Sequence, residues 1–406
     1  MAQSPFSKIC MATYGICLSL KSSVHGNPVE SHTITIMLKR IYSVLLLVVS
    51  PLVCCRAQQN VASIDSLLQV YYNRQELNGT ILIAQHGKVI LSRSYGMADV
   101  DKQRPLTSLT QFQIASVSKQ FTAYAIMQLK ATGKLQYDDN VQTYLPTFPY
   151  PNITIRHLLT HTSGLPDFWT QIRPKLDTSK SNGNADMLAY LAEHKLPLQA
   201  APGTKWIYCD IGFDLLATLI ERLSGMNYQA FLRKYLFEPA SMNDTEALLV
   251  TDIRRIKAKN LATGYLRRNN TLKPAHLEPD QNFVFYLGDF YGDGSVISTT
   301  GDLKKWDDAL SNYKLLPKAI QDEAFRPART PDGQLIEFRS GTTYGFGWFL
   351  RQHPVLGQQI MHSGGQPGFQ TWFARFPDKQ LCVVICMNVE SKKLDEITKG
   401  ILFHLQ

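Results

Sequence analysis

Gly79-Thr80-Ile81-Leu82-Ile83-Ala84-Gln85-His86-Gly87-Lys88-Val89-Ile90-Leu91-Ser92-Arg93 carries apolar and β-branched residues up to His86-Gly87 and away from it again. Alternation on both sides of a Gly-containing turn predicts a β-hairpin. An amphipathic helix at about Ile64 to Asn73 precedes it. Near the other end of the chain, Tyr344 to Arg351, Gln359 to His362, Phe369 to Phe376 and Leu381 to Met387 read as four more strands, with Pro377-Asp378-Lys379 as a turn. From about residue 116 to 290 helical periodicity dominates, in Lys119 to Ala131, Ile155 to Leu159, Met187 to His194 and Phe213 to Leu223. The economical arrangement is an α+β fold: one antiparallel sheet built from both chain ends and flanked by helices, with an all-helical lobe inserted. The α/β lobe is expected over residues 58–115 plus 291–406 and the helical lobe over 116–290. No period of 20 to 50 residues marks a repeat.

The 406 residues are 44% hydrophobic, 18% charged and 10% aromatic, with 25 Gly and 20 Pro. This globular composition excludes a disordered tail, collagen, a coiled coil and a low-complexity scaffold. Single cores stop growing at roughly 250–300 residues, so two lobes with a site between them are expected. The formal charge of +9 raises the question of a polyanion partner. However, Lys8, Lys21, Lys39, Arg40 and Arg56 fall in the first 57 residues against Glu30 alone, leaving 37 basic and 32 acidic residues elsewhere. The densest basic run, Arg254, Arg255, Lys257 and Lys259, is too short to track a phosphate backbone and reads as a solvated helix face. No nucleic-acid partner is expected.

Met37-Leu38-Lys39-Arg40, the apolar Ile41 to Val49, Ser50-Pro51 and Cys55-Arg56-Ala57-Gln58 form the three parts of a secretory signal. Residues 1–57 are therefore expected to be leader, with the signal at 37–57, translation starting at Met37 and cleavage after Ala57. A bilayer span needs ~20 apolar residues, and this stretch is shorter and broken by Pro51, so no stable transmembrane segment is expected after processing. The mature chain is expected to be exported, to the periplasm or the medium. A lipoprotein anchor at Cys54 or Cys55 is the weaker reading, because Val53 is bulkier than such processing wants.

With Cys10, Cys17, Cys54 and Cys55 in the leader, Cys209, Cys382 and Cys386 remain. Cys382 and Cys386 point to one face of a strand but lie too far apart to bond, so neither a disulfide framework nor a zinc site is expected. His157 and His161 have the spacing of a zinc-protease pair, yet Leu158 stands where that motif needs Glu and no third ligand is evident. They read as structural. Phosphate-binding Gly motifs are absent and no cofactor is expected.

Ser116-Val117-Ser118-Lys119 is Ser-x-x-Lys at the start of a helical pattern, a spacing that puts both side chains on one face. A serine hydroxyl is a weak nucleophile until a base takes its proton, and Lys does so only when its surroundings lower a pKa of about 10.4. Ser311-Asn312-Tyr313-Lys314 matches the same pattern at a surface helix end, so the motif alone decides little. Two further elements single out Ser116. Tyr208-Cys209-Asp210 begins a helix after Pro202-Gly203, and His362-Ser363-Gly364-Gly365 ends a predicted strand. Tyr137-Asp138-Asp139 also fits Tyr-x-Asp, whereas Ser-Gly follows just one of the ten histidines.

The ordered set Ser116-x-x-Lys119, Tyr208-x-Asp210 and His362-Ser363-Gly364 is accompanied by His157-Leu158-Leu159-Thr160-His161-Thr162-Ser163-Gly164-Leu165 and Tyr344-Gly345-Phe346-Gly347-Trp348. Together they resemble the serine β-lactamase-related superfamily, in the branch of class C β-lactamases, D-alanyl-D-alanine carboxypeptidases, D-aminopeptidases and β-lactamase-like esterases, over roughly residues 60 to 406. The resemblance implies a β-lactamase/transpeptidase-like fold and an acyl-enzyme mechanism. Ser116 would attack a carbonyl, Lys119 and Tyr208 would share the base work, and Tyr208 would pass the proton to the leaving group. The N–H groups of Ser116 and Gly365 would form the oxyanion hole, and His362 would assist by hydrogen bonding near Tyr208. Asp210, Ser363 and Gly364 would contact substrate.

Two departures from the family pattern matter. Many members have Lys at the place of His362, where it holds a substrate carboxylate, so the β-lactamase reading loses weight. Asp210 replaces the usual Asn, and a charged Asp210 beside Lys119 should raise the lysine's pKa. Asp210 is therefore expected either to stay protonated or to bind a cationic group such as a substrate amine. The expected function is an exported serine hydrolase acting on an ester or a D-amino-acid-containing peptide. A β-lactamase, or a catalytically weak penicillin-binding or sensor module, is the alternative.

Overall fold

The computed structural model describes residues 60–249, 260–269, 271–281 and 287–406. The leader with its four cysteines and the Arg254 to Lys259 run lie outside the described residues. An eight-stranded antiparallel sheet organises the rest. Its strand order is Glu337–Arg339, Thr342–Tyr344, Phe349–His353, Gly357–Gln366, Phe369–Phe376, Leu381–Met387, Gly79–Gln85, Lys88–Tyr95. The strands from the two chain ends meet where Gly79–Gln85 pairs with Leu381–Met387, Ile81 opposite Ile385 and Ile83 opposite Val383.

The hairpin turns at His86-Gly87, but its first strand is not half-solvated as alternation suggests: every residue from Gly79 to Ala84 is buried. Helices cover both faces of the sheet, which is why the strands read as continuous apolar runs. Ile81, Ile83, Val383 and Ile385 pack with Ile64 and Leu68 of the helix at 60–73 and with Ile397 and Ile401 of helix Leu394–His404. Leu82, Ala84, Cys382, Val384 and Cys386 face the other way, into a larger core with Phe121, Leu303 and Trp306. Each fully buried aliphatic side chain contributes roughly 1.5–3 kcal/mol, so the two layers together hold the sheet closed.

Other sequence expectations need correction. The run Tyr344 to Arg351 is two strands, because Gly347 adopts φ 78° and a Cβ on Gly345 would meet the Ala324 carbonyl at 2.1 Å. Among the described residues between about 245 and 290, short strands and 3-10 turns stand where helix is expected. Glu246–Ala247 pairs with Val296–Ser298, and Tyr265–Arg268 forms a hairpin with Thr271–Pro274. The four helices predicted between residues 116 and 290 are present, as Lys119–Ala131, Ile155–Leu159, Asn184–His194 and Asp210–Ser224. No helix among the described residues is long and apolar enough to cross a membrane.

Candidate active site

Ser116 lies on a 3-10 turn, Ala115–Ser118, that runs directly into helix Lys119–Ala131. Ala115 sits at φ 47°, a left-handed conformation costing a non-glycine residue on the order of 1–3 kcal/mol. The surroundings impose it: the Ile114 N–H bonds the Val296 carbonyl at 3.0 Å, and Ser118 Oγ accepts the Val296 N–H at 3.1 Å. One helical turn on, Phe121 and Tyr124 wedge against Trp306, with ring centroids at 4.8 and 5.1 Å. The serine thus stands on a rigid support.

Lys119 is fully buried, and its Nζ donates to Ser116 Oγ at 3.1 Å, Asp210 Oδ1 at 2.7 Å and the Asp293 carbonyl at 3.1 Å. The Tyr208 hydroxyl donates to Ser116 Oγ at 2.8 Å, and Lys119 Nζ lies 4.9 Å from the Tyr208 ring centroid. Burial pulls the Lys119 pKa down, but Asp210, Tyr208 and Asp293 outweigh it and hold it well above the ordinary value. Burial, against the opposing pull of Lys119, pushes Tyr208 up to about 12. At neutral pH the site therefore rests as an ammonium and a neutral phenol around one serine oxygen.

Asp210 opens helix Asp210–Ser224, where a carboxylate favours the helix dipole, and the ion pair gives it Lys119 as its cationic partner. Tyr208 is fixed from behind by His161, a residue at φ 56°. The N–H of Ile207 bonds the His161 carbonyl at 2.8 Å, the N–H of Cys209 bonds His161 Nδ1 at 3.1 Å, and the two rings lie 4.4 Å apart. His157 Nδ1 accepts the Thr154 N–H in a helix cap. No metal-binding cluster occurs among the described residues.

His362 departs from expectation. It lies within the ten-residue strand Gly357–Gln366 rather than at a strand end, and its bonds go to Tyr344, not Tyr208. Its Nδ1 stands 2.6 Å from the Ser363 carbonyl, so that nitrogen carries the proton, and Nε2 accepts from the Tyr344 hydroxyl at 2.9 Å. Burial and Lys119 push its pKa down to about 3. It is a neutral, inward-facing support, unsuited to holding a carboxylate. Ser363 and Gly365 alternate outward on the same strand, whose neighbour Phe349–His353 pairs only as far as Met361. That leaves the edge from His362 to Gln366 open beside the serine turn.

Gly364 brings strand and turn together: a Cβ there would lie 2.1 Å from the Ile114 carbonyl oxygen and 3.2 Å from Ala115 Cβ. Gly364→Ala is expected to lower stability by about 1–3 kcal/mol through overpacking, read as a fall in Tm. Gly365→Ala meets open space and should leave Tm nearly unchanged. An unshifted Tm for Gly364→Ala would remove the close approach from the account.

Ser116, Asp210 and Gly365 open onto a cavity of about 540 Å³, walled by Phe168, Trp169 and Phe290. Phe369 also lines it. Two further carboxylates that the motifs do not reveal stand at its floor. Asp214 follows Asp210 by one helical turn, and Asp293 lies between Gly292 and Gly294 with its Oδ2 at 3.9 Å from Lys119 Nζ. A periodicity signal existed for Asp214, an acid on the apolar face of a predicted helix; none existed for Asp293. The decoy Ser311 instead accepts from Arg375 at 2.7 Å, at the far end of another helix.

A family model described as Beta-lactamase matches residues 64–404. Penicillin-binding protein 4* of Bacillus subtilis is 37% identical over 333 residues, 80% of this chain and 71% of that protein. The putative penicillin-binding protein PbpX of Bacillus subtilis is 26% identical over 351 residues, 85% of this chain and 80% of that protein. The octameric penicillin-binding protein homologue from Pyrococcus abyssi superposes with a TM-score of 0.72 at 25% identity, covering 85% of this chain and 77% of that one. The fold is thus the β-lactamase/transpeptidase-like one.

Proposed function

Because the chain belongs to the beta-lactamase family, we propose that it is an exported serine hydrolase that forms an acyl-enzyme on Ser116 with an ester or a D-amino-acid-containing peptide. The observation that carries this reading is the convergence of Lys119 Nζ and the Tyr208 hydroxyl on one serine oxygen. Ser116 Oγ bonds to the substrate carbonyl carbon as its proton leaves to Tyr208 acting as phenolate. Tyr208 then protonates the leaving group, and the second half-reaction repeats the transfers with water in place of Oγ. The N–H groups of Ser116 and Gly365 hold the developing oxyanion.

The base work falls to Tyr208 rather than being shared, because the carboxylates around Lys119 hold it as an ammonium. Its charge near the Tyr208 ring favours the phenolate. Ser363 and Gly364 belong to the substrate-lining strand, while Asp210 acts through Lys119. The neutral, enclosed His362 removes the natural partner of a substrate carboxylate and so disfavours β-lactam turnover. The ion pair of Lys119 with Asp210 supports one second reading, a catalytically feeble penicillin-binding module. Partners are proposed to be small-molecule or peptide substrates, with no nucleic acid.

A fluorophosphonate and a fluorescent penicillin separate the two readings. The hydrolase reading expects phosphonate labelling at Ser116, located by peptide mass, together with ester turnover that rises from about pH 6 to about pH 9 as more Tyr208 ionises. Stable penicillin acylation without turnover of any ester or peptide would favour the binding module, and no labelling at all would count against both.

A further inference from the structure

The oxyanion role proposed for the Gly365 N–H asks for a fixed donor from a stretch of chain that is poor at holding one. Gly364-Gly365 has no side chain to lock its torsions. Among the described residues, the strand beyond Met361 is paired only on the side of Phe369–Phe376. The close approach of Gly364 to the Ile114 carbonyl sets the distance between strand and serine turn. The tilt of the peptide plane entering Gly364 needs a second contact.

The Ser363 carbonyl supplies it. Residues two apart on a strand send their N–H and C=O groups to the same edge, so this carbonyl shares its edge with the Gly365 N–H. His362 Nδ1 meets it at 2.6 Å. A carbonyl only accepts, so the bond exists only while Nδ1 is protonated. A neutral imidazole carries one proton, and the partner of one nitrogen decides which of the two holds it. The partner of Nε2 is the Tyr344 hydroxyl, at 2.9 Å. Tyr344 has no freedom to turn away. It is fully buried, with its ring centroid 4.7 Å from His161, 4.8 Å from Phe349 and 6.0 Å from Trp206. The His161 ring that backs Tyr208 thus backs Tyr344 as well.

We infer that Tyr344 is a positioning residue for the oxyanion hole: its hydroxyl keeps the His362 proton on Nδ1, His362 holds the Ser363 carbonyl, and the peptide plane so fixed aims the Gly365 N–H. This rests on the hydrolase reading for its effect on rate, whereas the His362 tautomer is a property of the resting chain. One aromatic cluster then seats both the base and the oxyanion donor, through separate hydrogen bonds.

Tyr344→Phe keeps the ring and removes the donor. Nitrogen NMR of the full chain, isotope-labelled in histidine and glycine, should find His362 protonated on Nδ1 and bare on Nε2. Its signals are those missing from His362→Asn, and the Gly365 amide is the one missing from Gly365→Ala. In Tyr344→Phe the proton should move wholly or partly to Nε2, and the Gly365 amide signal should move with it. Losing an oxyanion donor typically costs 10²–10³ in rate; misaiming one should cost about 10–100-fold in kcat with KM within about twofold. Oxygen and sulfur esters separate this from a fault at Tyr208. A thionoester draws little from an oxyanion hole, so the kcat/KM ratio of 4-nitrophenyl acetate to its thionoacetate should fall by at least about threefold in Tyr344→Phe. His362→Asn places an amide donor where Nδ1 stands and needs no Tyr344, so adding Tyr344→Phe to it should slow acetate turnover by less than about threefold.

An unchanged His362 tautomer in Tyr344→Phe overturns the inference, and so does a moved proton with an unmoved Gly365 amide. Equal slowing of both esters overturns it by placing the effect at the base. A loss of about tenfold on adding Tyr344→Phe to His362→Asn does the same by taking His362 out of the chain of contacts. If proton and Gly365 amide both move in a chain that turns over neither ester, the positioning stands and the hydrolase is rejected.

Discussion

Ser116→Ala should abolish covalent turnover, with a loss on the order of 10⁴–10⁶ in kcat while the fold remains intact. The size follows from how the site is arranged. Lys119 and Tyr208 converge on a single oxygen, so removing it leaves a positioned ammonium and phenol with nothing to activate. Groups that act as one unit are non-additive, so Ser116→Ala combined with Tyr208→Phe should be hardly slower than Ser116→Ala alone. Neighbouring nucleophiles offer no substitute: the Cys209 thiol is buried and pushed up to about 12 by desolvation. Ester kinetics and intact mass after phosphonate treatment check this. Residual turnover above about one percent, or phosphonate mass still added to the alanine variant, would move the nucleophile away from residue 116.

Lys119→Met is expected to fail in two ways at once. Catalytically, Tyr208 loses the cation that favours its phenolate, and general-base contributions of 10²–10⁴ in rate are at stake. Structurally, Asp210, Asp214 and Asp293 lose the ammonium that offsets their charge, and breaking a buried pair from one side costs about 3–5 kcal/mol. The sign with pH follows from the carboxyls. Without Lys119 the folded-state pKa values of Asp214 and Asp293, already raised by burial, rise further above the unfolded ones. The protonated forms are then the comfortable ones, so stability is kept below the unfolded carboxyl range and lost as pH rises through the raised values. The Tm deficit of Lys119→Met against the parent should therefore be small near pH 4 and large near pH 8. A deficit independent of pH would mean that the lysine is held for packing alone.

Sheet, helices and the serine turn were legible because each has a local signature. Apolar runs between turn residues announce strands, 3.6-residue periodicity announces Lys119–Ala131, and Ser-x-x-Lys is a short-range spacing on one helix face. What stayed illegible depends on which residues tertiary packing brings together. Asp293 reaches Lys119 from 174 positions away, and no pattern near Gly292-Asp293-Gly294 announces it. His362 could be located but not given a partner, because the choice between Tyr208 and Tyr344 is decided by which face of Gly357–Gln366 turns inward. The described strands between residues 245 and 290 escaped notice for a related reason: Glu246–Ala247 and Tyr265–Arg268 are two and four residues long and carry too little periodicity to be seen.

The seam between Gly79–Gln85 and Leu381–Met387 also sets when this molecule can finish folding. The side chains of Asn78 and Asn388, 310 residues apart in sequence, hydrogen-bond at the end of that seam. Loop closure over such a span grows costly in entropy and slow in rate, and the centre of the sheet cannot form until nearly the whole chain has been synthesised. Until then Gly79–Gln85 lacks its central partner, and what lies between is a set of unfinished pieces. Only the arrival of its last strands locks the sheet and the serine turn that rests against it; under the proposed export, that delay would keep the polypeptide threadable.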